Sequence, residues 1–341
     1  MTQPQRTVLI TGGAGFIGSN FVHYLREQRP TWRIVNFDAL TYAGNLDNLR
    51  DLGGDPMHHF VRGDIRDREQ VLDVLNGCDS VIHFAAESHV DRSIHDSGPF
   101  FSTNVLGTQV LCDACRDVGG ITRFVHIGTD EVYGSLPLDR PDLLFTEDTP
   151  VQPRSPYAAS KTASDLLVLA YHETFGLPAC LTRCSNNFGP YQFPEKVIPL
   201  FVTNLIDGKK VPLYGDGLNV RDWLHVIDHC EAILAVFERG REGEVYNIGG
   251  NNEQSNINLT HQILDAMQCS HDMIQPVADR PGHDRRYAID ASKIATELGW
   301  KPTRSSWPAA LKETVEWYRA NEWWWRPLKE KAFNATMLTR K

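Results

Sequence analysis

The chain has 341 residues, 41% of them hydrophobic and 23% charged, enough for one large or two ordinary domains with a substantial core. Its 43 acidic against 34 basic residues leave a formal charge of −9, which argues against general binding to nucleic acid or anionic membranes but allows local basic clusters that hold phosphate. Residues 1–6 carry no apolar signal core and no apolar run is long enough to span a bilayer, so a cytoplasmic protein is expected.

Residues 6–11 read as a short apolar strand that runs into Gly12-Gly13-Ala14-Gly15-Phe16-Ile17-Gly18, with a helical pattern after it. Glycines at 12, 15 and 18 let the backbone approach a pyrophosphate, and a helix N-terminus supplies free N–H groups and a positive dipole end. A second apolar strand, residues 33–38, ends in Asp38, twenty residues after Gly18. A carboxylate there suits the adenosine ribose hydroxyls and favours NAD over NADP, whose 2′-phosphate it would repel. Capping a turn is the simpler alternative for Asp38. Ala39, Leu40 and Thr41 follow it along the same cofactor edge.

The strand–helix alternation continues through a strand at 59–61, a helix at 68–75 and a strand at 80–84. Asp64 and Ile65 are placed to meet an adenine, and the small Ala85 and Ala86 let a ring pass close to the backbone. A helix at 99–118, a strand at 124–127, a helix opening at Ser155-Pro156 and a strand at 179–183 complete the pattern. The expected fold is α/β, a Rossmann-type doubly wound parallel sheet over residues 1–185. Beyond it the alternation loosens, so residues 186–341 read as a smaller mixed α/β substrate-binding domain, with segments from about 221–250 folding back onto the first.

Chemistry concentrates between residues 126 and 161. Asp130 and Glu131 follow an apolar run and should sit where a strand ends, facing the crevice where open α/β sheets bind ligands. Tyr157 and Lys161, at i and i+4, share a helix face. The ammonium could lower the phenol from its ordinary value near 10, as a base at neutral pH requires. His83, His89 and His95 lack the spacing of a metal set, and no metal is expected. Cys112 and Cys115 fall inside a helical pattern and read as small buried residues, with the odd total of seven cysteines indicating free thiols. Trp323-Trp324-Trp325 reads as a packing or interface patch.

Together, Gly12-x-x-Gly15-x-x-Gly18, Thr129-Asp130-Glu131 and Tyr157-x-x-x-Lys161 resemble the extended short-chain dehydrogenase/reductase superfamily and, within it, the dTDP-glucose 4,6-dehydratase family. Further matching stretches are residues 37–45, 85–93, 129–134, 185–196, 221–226 and 279–286. The resemblance implies an NAD-dependent lyase that oxidises a nucleotide sugar at C4, eliminates water across C5 and C6, and reduces C6. Tyr157 would be the base for the C4 hydroxyl, assisted by Lys161 and Thr129; Glu131 would take the C5 proton and Asp130 would protonate the leaving hydroxyl. It also implies Thr103 and Asn187 at NAD, and Ser88, Asn186, Lys196, Val197, Pro212, Tyr214, Arg221, Asn256, Arg280 and His283 around the nucleotide sugar. A guanidinium at 221 matches phosphate oxygens. A homodimer through the helices at 99–118 and 157–175 is expected.

Family members usually carry Ser where this chain has Gly128, so a looser loop and an altered rate or cofactor affinity are expected. A C4 epimerase or decarboxylase on this scaffold would need the Tyr and Lys but not the acidic pair. A non-catalytic NAD-binding sensor would have no chemical need for the whole set.

Overall fold

The computed structural model describes residues 5–338, with side chains through residue 331. Seven parallel strands form the central sheet, in the order Val245–Ile248, Ala179–Cys184, Arg123–Thr129, Ser80–His83, Thr7–Thr11, Arg33–Asp38, His58–Arg62. The strands are apolar runs because helices cover both faces of the sheet. Phe21 and Leu25 of helix Phe16–Gln28 pack on one face with Leu224, Cys230 and Phe237. On the other face lie Val71, Leu111, Cys112, Cys115 and Val168. Cys112 and Cys115 are thus core residues, with burial pushing both thiols up. All seven cysteines are free.

Strand order reverses between Thr7–Thr11 and Ser80–His83, and a crevice opens at the carboxyl ends of the strands at such a switch. Segment 224–237 and the edge strand Val245–Ile248 belong to this sheet and its core. A separate cluster joins helices Val197–Ile206, Asn256–Met267 and Ala309–Ala320 around Trp223, Trp324 and Trp325. Of the tryptophan run, Trp324 and Trp325 are core residues and Trp323 is 48% exposed. The Trp324 indole donates to Asn48 Oδ1 at 2.7 Å and Trp325 to the Tyr318 carbonyl at 2.8 Å.

The helix expected at 99–118 is interrupted. Residues Phe101–Gly107 are wound as a π-helix before Thr108–Val118 continues as α, and side-chain periodicity gives no sign of the wider turns. The strand expected to stop at 127 runs to Thr129. Helix Pro156–Phe175 begins as its residues dictate: Ser155 Oγ accepts the Ala158 N–H at 3.1 Å, and Pro156 fills the first turn. Gly176, at φ 70°, ends it in the left-handed conformation.

Candidate active site

The strand termini at the switch point converge on one cavity of about 420 Å³. Thr7–Thr11 delivers Gly12, Ser80–His83 delivers Ala85 and Ala86, Arg123–Thr129 delivers Thr129, and Ala179–Cys184 leads to Ser185 and Asn186.

On the cofactor side Gly12 and Gly18 are required by space. A Cβ on Gly18 would stand 2.2 Å from the Gly12 carbonyl oxygen, and one on Gly12, at φ +73°, would stand 2.6 Å from the Ala85 nitrogen. A Cβ on Gly15 would meet only the Gly12 oxygen, at 3.3 Å, and would otherwise intrude on the cavity at the helix N-terminus. The cradle therefore fits a dinucleotide pyrophosphate. Asp38 lines the same cavity, and its carboxylate accepts the Ala14 N–H at 2.9 Å and the Leu40 N–H at 2.7 Å. It caps the turn and faces the cavity at once. Phe16, Ile17, Ala39, Thr41, Asp64, Ile65, Ala85, Ala86, Thr103 and Asn187 also line the wall; Leu40 does not.

Thr129, Asp130, Glu131, Tyr157 and Lys161 share that cavity with Ser88, Asn186 and Lys196. Thr129 caps the turn Asp130–Tyr133, its hydroxyl accepting the Glu131 N–H at 3.3 Å and donating to Asp130 Oδ1 at 3.4 Å. Asp130 is 1% exposed and its Oδ2 has no hydrogen-bond partner. Burial, then Glu131 and Asp222, push its carboxyl well above the carboxylate range, which favours the protonated form. Glu131 is partly exposed and is raised by burial, while Arg221, Arg280 and Lys196 favour its ionised form. One neighbouring carboxyl is thereby kept as an acid and the other is poised to be a base.

The expected lowering of the Tyr157 phenol is not what the chain alone produces. Burial and the Glu131 carboxylate raise it, with the Thr129 hydroxyl pulling the other way. Lys161, 4% exposed, donates from Nζ to the Ile127 carbonyl at 2.8 Å. Lys161 holds the strand end in place as well as carrying charge.

The expectation of a loosened loop at Gly128 is also corrected. Gly128 is buried inside strand Arg123–Thr129, paired with Arg183, and a Cβ there would stand 2.5 Å from the Thr182 oxygen and 3.1 Å from Asp165 Oδ1. The position is crowded.

Val197, Pro212, Tyr214, Arg221, Asn256, Arg280 and His283 are not in the cavity wall. Arg221 is buried, its guanidinium 4.2 Å from the Tyr287 ring centre. The His283 ring lies 6.4 Å from that of Tyr214, and Arg280 pairs with Asp91 at 3.3 Å. Asn256 begins helix Asn256–Met267, and Pro212 sits in a two-stranded ribbon with Ile274–Val277. Among the described residues no cluster could hold a metal, and no helix is long and apolar enough to cross a membrane.

Residue-by-residue reading missed several wall residues: Tyr42, Arg66, Glu87, Gln192, Phe193 and Glu195. Arg92 stacks 3.8 Å over the Tyr42 ring and donates to Glu195 at 3.1 Å. It also missed Asp222, whose carboxylate accepts the Gly250 N–H at 2.8 Å and the Asn252 N–H at 2.6 Å while raising Asp130. Its place directly after Arg221 was the only available signal.

The sequence family described as GDP-mannose 4,6 dehydratase matches residues 9–310. A dTDP-glucose 4,6-dehydratase from Streptomyces antibioticus is 54% identical, over 95% of this chain and 96% of its own length. The Salmonella typhimurium enzyme of the same name is 46% identical over 96% and 97%. A crystal structure of a dTDP-glucose 4,6-dehydratase from Streptomyces venezuelae, with NAD and TYD bound, matches with a TM-score of 0.91 at 51% identity, covering 94% of this chain and 99% of that one. A Thermus thermophilus UDP-glucose 4-epimerase in complex with NAD gives a TM-score of 0.84 at 30% identity over 92% and 99%. The chain therefore belongs to the GDP-mannose 4,6 dehydratase family and stands among its dTDP-glucose 4,6-dehydratases.

Proposed function

We propose that this protein converts dTDP-glucose to dTDP-4-keto-6-deoxyglucose and water, with NAD as a recycled cofactor. The observation that carries the reading is the adjacent pair, with Asp130 buried and its acidity weakened, and Glu131 beside it under the influence of three cations. An epimerase has no use for such a pair.

When bound on the glycine cradle, NAD supplies a reversible hydride acceptor. Tyr157 takes the proton of the C4 hydroxyl as that carbon is oxidised, with Thr129 bonded to the same oxygen and Lys161 contributing positive charge. The C4 ketone acidifies C5. Glu131 removes the C5 proton, and Asp130 protonates the C6 hydroxyl so that it leaves as water. Once C6 is reduced, Glu131 returns its proton to C5, and the proton that Tyr157 took from the C4 hydroxyl replaces the one Asp130 gave up, so the sum is the keto-deoxy sugar and one water. Ser88 and Asn186, whose Oδ1 has no partner within the chain, are placed for sugar hydroxyls. Lys196, Arg221, Arg280 and His283 supply positive charge and donors for the diphosphate, with Val197, Pro212, Tyr214 and Asn256 around the nucleoside.

On this reading residues 1–185 are the cofactor half and 186–341 the nucleotide-sugar half, with 221–250 lent back to the first. We place the enzyme in the cytoplasm as a homodimer. Phe101, Leu106 and Val118 are 42%, 55% and 41% exposed, and Leu166 and Phe175 are each 51% exposed on the adjoining helix, a supply of apolar surface suited to a symmetry mate.

The test is incubation with dTDP-glucose without added reductant, UDP-glucose running alongside. Formation of the 4-keto-6-deoxy product from dTDP-glucose is expected. No product from either sugar, with NAD bound, would overturn the reading; equal turnover of UDP-glucose would overturn the thymidine assignment alone.

A further inference from the structure

Beneath the site lies a charged cluster that the chemistry above does not use. Asp165 is 0% exposed and follows Lys161 by one helical turn. Arg183, 4% exposed, donates from Nε to Asp165 Oδ2 at 3.0 Å. His126 Nε2 lies 3.3 Å from Oδ1 without satisfying it. The strand passes this oxygen at Gly128, where no side chain intervenes and even a Cβ would come within 3.1 Å. The Arg183 guanidinium lies 4.8 Å from the centre of the Tyr133 ring, in the turn that carries Asp130 and Glu131.

We propose that Asp165 is a positioning residue for this reaction, an anionic anchor under Lys161 that Arg183 and His126 hold in place. The inference rests on the function proposed above. Three features support it. A buried carboxylate with one unbonded oxygen is costly in a core unless nearby positive charge compensates it, and Lys161 is among the groups that stabilise this one. Arg183 alone would account for a structural ion pair, yet the second oxygen is left unbonded beside Gly128 and His126, on a residue one helical turn after Lys161. Finally, the titratable groups that interact with Lys161 are His83, His126, Cys184 and Asp165, so Asp165 is the anion among them. Burial lowers the Lys161 ammonium and Asp165 opposes that loss; His126 and Arg183 in turn keep Asp165 below the ordinary carboxylate range. His126, pushed down to about 4 by burial, is a neutral neighbour at working pH.

The test compares the parent with D165N and with D165N/R183Q, which removes both members of the buried pair so that no lone charge is left to unfold the core. Two readouts are taken: the pH profile of turnover on dTDP-glucose, and the pH dependence of Lys161 acetylation by acetic anhydride, read by peptide mass spectrometry without turnover. With the Asp165 charge gone, Lys161 deprotonates earlier. The alkaline limb and the labelling midpoint should both move down by about one pH unit in D165N, and in the same direction by less in D165N/R183Q, where loss of the Arg183 charge offsets part of the change. A folded variant with reduced turnover but an unmoved labelling midpoint would overturn the proposal and leave Asp165 a structural ion-pair partner. An inactive parent would count against the dehydratase reading alone, because the labelling comparison still decides the role of Asp165.

Discussion

Replacing Glu131 with Gln separates the two carboxyls of the adjacent pair. Gln keeps the size of the side chain and removes its basicity, so on the proposed mechanism the C5 proton loses its acceptor. A positioned general base contributes roughly 10²–10⁴-fold, and kcat for dTDP-glucose should fall by that factor, about 3–5 kcal/mol in barrier. A second effect follows from geometry. Glu131 is the largest charge acting on Asp130 after burial itself, and unit charges about 6 Å apart interact by about 3 kcal/mol at an effective dielectric of 20. That corresponds to about two pH units. Asp130 must be protonated to act, so losing the neighbouring negative charge makes it a stronger acid that gives up its proton at lower pH, and pulls the alkaline limb of the residual activity down by one to two units. Product formation across pH 5–10 gives both quantities, and incorporation of solvent deuterium at C5 reports the proton transfer directly. Residual activity within threefold of the parent, or C5 exchange that persists at the parent rate, would remove Glu131 from the base role. An unmoved alkaline limb would show that burial alone keeps Asp130 protonated.

At Gly128, an added Cβ meets the Thr182 oxygen at 2.5 Å, so G128A should lose about 1–3 kcal/mol by overpacking; a thermal midpoint unchanged from the parent would show that the two strands yield freely. Buried His126 and His229 are pushed down to about 4 and about 3 from 6.5 by burial. Unfolding releases them to protonate below pH 6.5, so their neutral burial costs nothing above that value and about 2 kcal/mol each at pH 5. Stability from urea titration should therefore fall between pH 6.5 and 5; a flat profile there would mean that compensating groups titrate oppositely. Leu166→Glu, on the exposed stripe of helix Pro156–Phe175, should shift the sedimentation mass from dimer to monomer. A parent that already sediments as a monomer would refute the dimer.

The cofactor half was legible because its signals are local and additive. Glycines spaced by a steric need, Asp38 at a strand end, and Ser155-Pro156 at a helix start each specify their surroundings within a few residues. The acidic pair was legible as a position but not as chemistry, since the acidity of Asp130 depends on burial and on Asp222, 92 residues away. The phenol of Tyr157 shows the same limit in reverse: the i, i+4 spacing is met, while burial and Glu131 set the direction of its shift. The Arg92 bridge to Tyr42 and Glu195 joins three separated segments, and no periodicity within any of them announces it. At Gly128 the sequence showed a missing hydroxyl, whereas the decisive fact is the neighbouring strand's carbonyl.

The edge strand Val245–Ile248 runs directly into the segment whose N–H groups at Gly250 and Asn252 clamp Asp222. A slip of that strand by one residue would withdraw two donors from a buried carboxylate and change the field that Asp130 feels. Drift at the margin of the sheet would then be heard at the reacting carbon as a change in acid strength, with no residue of the cavity altered.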